Sequence, residues 1–365
     1  MNSLVWILFE RRVFKRRLLF MKRKTFAAIL MVCLSAAAAL SGCGNRETEE
    51  KKTETGAEED KTQESEEEKQ MVIGYNSYGD TSDFSKRLSE GFIERAEAAG
   101  MKVLKADTGG DPTKAIKNVD SFIQQGADLI FDCSWVVSAC EAVADKCQEQ
   151  GIPCIITDIY VENESAYYMG IDNNEVGLTT GTAAGKWINE NWGGELDYVL
   201  IAFNESFGEG VRPRVGSVAE GLSQEGIEIS EDRIVWVDPQ SSDASVACKQ
   251  LGTDFLTAHP EEKHILMVGA NDEMAQGFLS AVETSGRTSD CILVSNDLTT
   301  MGISSLYNDN IWLGSTAFFP ENYGAALVPM IEDLLSRKEV PKEVYTEINF
   351  VDRNNISQYY ENPDK

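Results

Sequence analysis

The sequence predicts an α/β protein made of two lobes, each built on a doubly wound parallel sheet. The apolar pattern becomes regular at Met71 and continues to about Phe350, a stretch long enough to favour two lobes over one core. Within it, short β-rich runs alternate with amphipathic helical patterns, and this rhythm starts again after Asn173. Strands that alternate with crossover helices indicate parallel sheets.

In the first lobe, four β-rich runs are separated by helical segments, and a glycine stands where each helix should end. Gly100, Gly126 and Gly151 are expected to lie at these C-terminal caps, since glycine adopts the left-handed conformation without strain. The helix after Asp111-Pro112 has a good start, because Asp111 can cap it and proline is tolerated at the first helical position. The predicted strands are Val72–Tyr75, Lys102–Ala106, Asp128–Asp132 and Pro153–Thr157.

The second lobe repeats this alternation of helix and strand. Its predicted helices run from Asn173 to Asn191 and over Pro213–Glu225, Asp243–Ala258 and Asp272–Ser285. Its predicted strands are Asp197–Ala202, Ile234–Val237, Ile265–Val268 and Ile292–Ser295.

Ligands of open parallel sheets bind beyond the carboxyl ends of the strands, so the residues that directly follow each strand are the first candidates for a site. These are Asn76 to Asp83, which include Tyr78, Asp132 to Trp135, Asp158, Asn204 to Ser206, Asn271-Asp272 and Asn296-Asp297.

The N-terminal region has the pattern of an export signal. A basic group at residues 22–24 precedes a mostly apolar stretch at residues 26–40, which is too short to span a bilayer comfortably. The segment Leu40-Ser41-Gly42-Cys43 resembles the bacterial lipobox, in which the cysteine receives a diacylglyceryl group and the leader is removed. The sequence leaves open whether Met1 or Met21 is the start, and an ordinary buried cysteine is the alternative for Cys43.

We therefore expect residues 1–42 to be a signal peptide and Cys43 to be the lipidated first residue of an extracytoplasmic, membrane-anchored bacterial protein. Residues 43–70 are rich in Glu and Lys with almost no large apolar side chain, which predicts a disordered acidic tether. The chain carries a formal net charge of −27, and a surface of this sign repels phosphate backbones. Nucleic acid is therefore excluded as a partner.

Seven motifs occur in order along the chain. They are Ile73-Gly74-Tyr75 with Asp83-Phe84 and Gly91-Phe92, Gly110-Asp111-Pro112, Gln125-Gly126-Ala127-Asp128, Gly151-Ile152-Pro153, Gly170-Ile171-Asp172-Asn173, Ala270-Asn271-Asp272-Glu273 and Ser295-Asn296-Asp297. This order resembles that of the type I periplasmic sugar-binding proteins of ABC importers, the ribose- and galactose-binding group. The resemblance covers nearly all of residues 71–350 and implies two lobes joined by a three-strand hinge, with a small ligand bound between them. It places lobe 1 at residues 71–172 plus 319–345 and lobe 2 at residues 173–318 plus 346–365.

By position, the resemblance implies four ligand contacts. Phe84 would stack on a sugar ring, Asp158 and Asp297 would accept hydroxyl hydrogen bonds, and Asn271 would both donate and accept them. The alternative for Asp158, Asn271 and Asp297 is capping or turn chemistry at strand ends.

The chain also departs from the family pattern. Phe84 lacks the second aromatic residue that usually follows it, Ile159 and Val218 stand where ribose-type members place arginines, and Phe318 replaces a glutamine. Arg212 and Arg214 lie upstream of Val218 and could substitute for its missing arginine, while Trp135 could stack on the ligand or pack within its lobe. The complete predicted ligand-binding set is Tyr78, Asp83, Phe84, Trp135, Asp158, Arg212, Arg214, Asn271, Asp297 and Phe318.

Neither catalysis nor a cofactor is indicated. The two histidines, His259 and His264, lie in no recognisable triad or metal-binding spacing. Four cysteines are spaced by seven residues, but Cys140 and Cys147 would lie two helical turns apart, beyond disulfide reach. We expect them to be small buried hydrophobic residues, and no metal site is predicted, although a pair formed through the fold stays open.

The sequence thus predicts a monomeric, lipid-anchored substrate-binding protein, not an enzyme. Its expected ligand is a neutral sugar or polyol, since a cleft with acids and few bases disfavours an anion. Its expected partner is an ABC permease. The alternative is a receptor subunit of the same fold that signals to a sensor kinase or chemoreceptor.

Overall fold

The computed structural model describes residues 70–241, 243–308 and 310–364. The predicted signal peptide, the lipidation at Cys43 and nearly all of the predicted tether lie outside the described residues. The described chain from Gln70 onward falls within one compact unit that contains two α/β lobes.

The first lobe contains a parallel sheet that is flanked by helices. Its order among the described residues is β11-β5-β4-β3-β1-β2. The strands are β1 (Val72–Ser77), β2 (Lys102–Asp107), β3 (Leu129–Asp132), β4 (Cys154–Thr157), β5 (Ala166–Gly170) and β11 (Glu343–Tyr345). The helices are α1 (Asp83–Ala98), α2 (Pro112–Gln124), α3 (Val137–Gln150) and α10 (Gly324–Leu335).

The second lobe contains the sheet β12-β10-β9-β8-β6-β7. Its pairs are parallel except that β12 runs antiparallel to β10. The strands are β6 (Tyr198–Ala202), β7 (Ile234–Val237), β8 (Ile265–Gly269), β9 (Cys291–Asp297), β10 (Trp312–Ala317) and β12 (Asn349–Asp352). The helices are α4 (Asn173–Trp192), α5 (Pro213–Gly216), α6 (Val218–Gln224), α7 (Ala244–Ala258), α8 (Asp272–Thr284) and α9 (Thr300–Tyr307).

The predicted fold class is confirmed. Each predicted strand overlaps an observed one. The sequence pattern predicts neither β5 nor the helices and strands after β9. Within the described residues, the chain passes between the two sheets at residues 171–172, 318–323 and 346–348.

Local signals in the sequence form the elements as expected. The Asp111 carboxylate accepts hydrogen bonds from the N–H groups of Thr113 and Lys114, at 2.8 and 3.3 Å, and Pro112 opens α2. The predicted cap glycines adopt positive φ, for example +67° at Gly151. The cysteines at 133, 140, 147, 154, 248 and 291 are buried and free.

The second connection between the two sheets, residues 318–323, is called the second crossing, and it packs closely against α1. A Cβ atom at Gly91 would lie 2.1 Å from the carbonyl oxygen of Glu321, so a larger residue here would push α1 away from this crossing. The close approach matters for function, because α1 begins at the cleft and the crossing connects the lobes.

Candidate functional site

The carboxyl ends of the two sheets face a shared cleft that encloses a cavity of about 240 Å³. Loops after β1, β3 and β4 supply one wall, and loops after β6, β7, β8 and β9 supply the other. The predicted residues that line the cavity are Tyr78, Phe84, Trp135, Asp158, Arg214, Asn271, Asp297 and Phe318.

Two larger hollows lie outside the cleft, each with a volume of about 480 Å³. One is bordered by Tyr160, Tyr167 and Lys342 at the β4–β5 edge of the first lobe, and the other by Trp187 and Trp192 in the second lobe. Neither brings together side chains from the carboxyl ends of both sheets, and so the smaller cavity is the better candidate.

Aromatic rings form one surface of the cavity. The Phe84 ring contacts Trp135 edge-on at a centroid distance of 5.3 Å and Phe318 at 6.2 Å, while Tyr78 stacks on Trp135 at 5.7 Å. Phe84 comes from the first lobe and Phe318 from the second crossing. The surface therefore runs from the first lobe to the second crossing and offers apolar faces of the kind that cover the C–H groups of a sugar.

Trp135 combines packing with an unused hydrogen-bond donor. Its indole ring packs against Tyr78 and Phe84, so lobe packing is part of its role. Its Nε1 atom is buried and has no hydrogen-bond partner among the described residues. Leaving a buried donor unpaired is costly, which makes a bound acceptor in the cavity favourable.

Asp158 is a buried carboxylate at the end of β4. Its Oδ1 accepts hydrogen bonds from the Tyr323 hydroxyl and the Ile171 N–H, both at 3.3 Å. Burial raises the pKa of Asp158 to about 6, although the positive charge of Arg214 and these two hydrogen bonds oppose the rise. A ligand hydroxyl that donates a hydrogen bond to Asp158 would therefore stabilise its ionised form.

Asp297 and Asn271 occupy neighbouring strand ends of the second lobe. Burial raises the pKa of Asp297, and the nearby Asp272 carboxylate raises it further, whereas Arg214 and Arg87 lower it. Asp297 Oδ1 accepts a hydrogen bond from the Asp272 N–H at 3.3 Å.

Asn271 caps α8. Its Oδ1 accepts a hydrogen bond from the Met274 N–H at 3.0 Å. Its Nδ2 makes no hydrogen bond within the described part of the chain, so the capping role leaves a donor for a ligand.

Arg214 brings a positive charge into the cleft. Its Nε donates to Asn173 Oδ1 at 3.0 Å, and its guanidinium group lies 5.1 Å from the centre of the Phe318 ring. Val218, where a direct count placed the missing arginine of the family, is fully buried in the core. Arg214, one helical turn earlier, lines the cavity instead.

Two predicted residues do not line the cavity. Asp83 accepts hydrogen bonds from the N–H and the hydroxyl of Thr300. Arg212 pairs with Glu205 at 2.7 Å and lies over the Trp236 ring at 4.3 Å. Both side chains are thus engaged by neighbouring protein groups, a difference from the prediction.

The cavity also includes residues that the sequence did not single out. Glu273 lies in the first turn of α8, where acidic residues usually stabilise the helix dipole, so its type gave no distinguishing signal. Ser241 lies four residues beyond the end of β7, too far for a search of strand ends. Ser82, Asn204 and Ser206 also line the cavity and belong to the strand-end candidates, although none is among the predicted ligand contacts. The remaining lining residues are Val136, Ile159, Phe207, Val211, Ala244 and Met274.

The cleft concentrates unfavourable backbone conformations. Trp135, Asp158 and Asp297 have φ values of 52°, 62° and 86°, in the left-handed region that disfavours residues with a Cβ atom. Such strain persists only where the surrounding structure holds it, and it is common at ligand sites. The backbone of these three residues is therefore set by the surrounding structure rather than by local preference.

The described residues contain no group of three or more His, Cys, Asp and Glu side chains that could hold a metal ion. They also include no helix with the length and apolar character needed to cross a membrane.

Comparison with known proteins agrees with this geometry. The family described as "Periplasmic binding protein domain" matches residues 73–339. The ribose import binding protein RbsB of Bacillus subtilis is 25% identical over 282 residues, which cover 76% of this chain and 85% of that protein.

Two solved structures from Mycobacterium smegmatis have the same fold. An ABC transporter solute-binding protein with bound glycerol superposes with a TM-score of 0.68 at 21% identity, covering 79% of this chain and 96% of the other. A protein in complex with β-D-fucofuranose superposes with a TM-score of 0.64 at 25% identity, covering 79% and 93%. With the family match over most of its length and this two-lobe fold around a cleft, the chain belongs to the periplasmic binding protein domain family.

Proposed function

We propose that this protein binds a neutral monosaccharide or polyol between its two lobes and delivers it to an ABC importer. The observation that carries the proposal is that Asp158 of the first lobe and Asp297 of the second line one cavity together with an aromatic surface. Carboxylates accept two hydroxyl groups each, whereas aromatic rings cover the apolar face of a sugar.

The size and charge of the cavity narrow the ligand class. A volume of about 240 Å³ equals roughly eight waters at about 30 Å³ each, which suits one sugar ring rather than a chain of sugars. Arg214 is already balanced by Asp158 and Asp297, which both interact with it electrostatically. An anionic ligand would therefore meet excess negative charge, and a neutral one fits better.

The names of the relatives support this ligand class. The Bacillus subtilis relative is named for ribose import, and the two solved structures contain glycerol and β-D-fucofuranose, all neutral polyhydroxy compounds. Family membership also supports an extracytoplasmic location and a permease partner. Anchoring through a lipid on Cys43 is part of the proposal and rests on the leader sequence alone.

A thermal-shift screen of the full chain against neutral sugars and polyols tests the proposal. A ligand present at a hundredfold excess over its dissociation constant stabilises the folded form by about 2.7 kcal/mol, a shift of several degrees. The Asp297→Ala variant is the control, and its shift should be smaller than that of the wild type. If no neutral sugar or polyol raises the melting temperature, the proposed ligand class is wrong.

A further inference from the structure

The loop that carries Asp297 into α9 is fastened within its own lobe. The Leu298 N–H donates to Ser315 Oγ at 3.1 Å. The Thr299 N–H and hydroxyl both donate to Asp272 Oδ2, at 2.7 and 3.0 Å. The backbone that directly follows the Asp297 carboxylate is thus tied to β10 and α8.

The same loop is also fastened by the first lobe. Asp83, the first residue of α1, accepts hydrogen bonds from the Thr300 N–H at 3.0 Å and the Thr300 hydroxyl at 2.8 Å. Thr299, at the N-cap position of α9, makes no capping bond with its own side chain. A carboxylate from the opposite lobe therefore provides the side-chain cap for this helix.

Arg87 lies one turn after Asp83 on the same face of α1. Its Nη1 donates to the Leu298 carbonyl at 2.8 Å, directly beside Asp297. Its Nη2 donates to Glu321 Oε2 at 2.7 Å and to the Tyr360 hydroxyl at 2.6 Å, and the guanidinium lies over the Tyr360 ring.

Arg87 is largely buried, which strengthens its ion pair and hydrogen bonds. The Arg87 side chain is only 16% exposed, so the ion pair with Glu321 is weakly screened by solvent. The Tyr360 hydroxyl in turn donates to Glu321 Oε1 at 2.7 Å. Arg87 therefore holds together α1, the second crossing, the C-terminal segment and the Asp297 loop.

We propose that Asp83 and Arg87 are positioning residues that set ligand affinity without contacting the ligand. Separating the lobes would uncap α9 and leave the Leu298 carbonyl without its charged donor. Asp83 and Arg87 together thus form a clamp between the lobes. This clamp and the ligand both favour the arrangement in which the lobes are in contact, and so each strengthens the other. The effect on affinity rests on the proposed function, whereas the effect on the loop does not.

The test compares Asp83→Ala and Arg87→Ala with the control Lys86→Ala in the full chain. Lys86 lies between them on α1, is 56% exposed and makes a 3.9 Å pair with the exposed Glu90. By calorimetry with the best sugar from the screen, we expect each clamp variant to bind about five- to thirtyfold more weakly. The control should bind within twofold of the wild type.

Amide hydrogen exchange in the ligand-free protein tests the clamp without any sugar. Exchange at Thr300, which is bonded to Asp83, should accelerate in Asp83→Ala more than exchange at Thr299, which is bonded to Asp272. Asp83→Asn keeps an acceptor and should largely restore the protection, which also provides a milder variant should the alanine protein fail to fold.

The outcomes separate the two proposals. If the wild type binds no sugar but Thr300 loses protection, the proposed function fails and the clamp stands. If Thr300 keeps its wild-type protection in Asp83→Ala, or both clamp variants bind within twofold of the wild type, the clamp is overturned. In the Asp297→Ala background, the loss caused by Asp83→Ala should shrink, because both act through one loop.

Discussion

The Tyr323 hydroxyl donates a hydrogen bond to Asp158 Oδ1 at 3.3 Å, which joins a carboxylate of the cleft to the second crossing between the lobes. Both residues are buried. Gly170 makes room for this arrangement, since a Cβ atom there would lie 2.2 Å from Asp158 Oδ1. The ionisation of Asp158 is therefore connected both to the proposed ligand cavity and to the second crossing between the lobes.

Ligand affinity should fall on acidification because of Asp158. Its pKa is raised to about 6 by burial, and the proposed ligand hydroxyl would donate to the ionised form. Binding is then strongest above pH 6, and below it the affinity falls by up to about tenfold per pH unit, since the proton must be released. Calorimetry between pH 5 and pH 7.5 measures this. Asp158→Asn should remove most of this pH dependence, and an undiminished loss in that variant would contradict the assignment.

The same group should make the ligand-free protein less stable at neutral pH. An acid whose folded pKa is raised contributes stability below its unfolded pKa, about 3.9, and loses it as the pH rises through the folded value of about 6. Asp158→Asn, which keeps the acceptor for Tyr323, should therefore melt higher than the wild type at pH 7.5 and about equally at pH 4. An equal difference at both pH values would exclude this cause.

Replacement of Asn271 should separate its capping role from its binding role. Asn271→Ser keeps a capping oxygen for α8 but removes the Nδ2 donor, whereas Asn271→Ala removes both. We expect both variants to bind about five- to a hundredfold more weakly, since a ligand oxygen loses a partner worth about 1–3 kcal/mol. Only the alanine variant should lose about 1 kcal/mol of stability in denaturant unfolding. Wild-type affinity in both would remove Asn271 from the site.

The protein should prefer a neutral sugar to the matching uronic acid or sugar phosphate. Arg214 lines the cavity and is the cation that could attract an anionic ligand. Arg212→Ala is the matched control, because Arg212 pairs with Glu205 outside the cavity. In competition titrations, the anionic member should bind at least tenfold more weakly, and Arg212→Ala should leave this ratio unchanged. Tighter binding of the anion, lost in Arg214→Ala, would show that Arg214 selects a negative charge.

Lipid attachment should depend on Cys43, which lies outside the described residues. Cys43→Ala removes the thiol that would carry the diacylglyceryl group, so the variant should incorporate no fatty-acid label and leave the membrane fraction or stay uncleaved. Metabolic labelling with a fatty-acid analogue measures this directly. Equal label in the variant and the wild type would contradict the lipoprotein prediction.

The sequence predicted the elements whose signals are local. The cap at Asp111, the glycine ends of helices and the strands up to β9 other than β5 need only neighbouring residues, and strand ends pointed to Asp158, Asn271 and Asp297. The roles of Asp83 and Arg87 could not be read in this way, because their partners Thr300 and Leu298 are more than two hundred residues away.

Two edge strands and the placement of Arg214 could not be predicted from the sequence either. Strand β11 has three residues, and β12 has four and runs antiparallel at a sheet edge, so both depend on pairing rather than on a strong local pattern. The position of Arg214 rather than Val218 in the cleft follows from where the short helix α5 begins. Such offsets of one helical turn appear only when the loops are placed in space.

A crystal structure with the tightest-binding sugar from the screen tests the central claim most directly. The account predicts one sugar in the cleft, with ring hydroxyls within hydrogen-bond distance of Asp158, Asn271 and Asp297 and an apolar face on Phe84 or Trp135. A sugar bound instead in the hollow beside Trp187 and Trp192, or a cleft without contacts to Asp158 and Asp297, would contradict it.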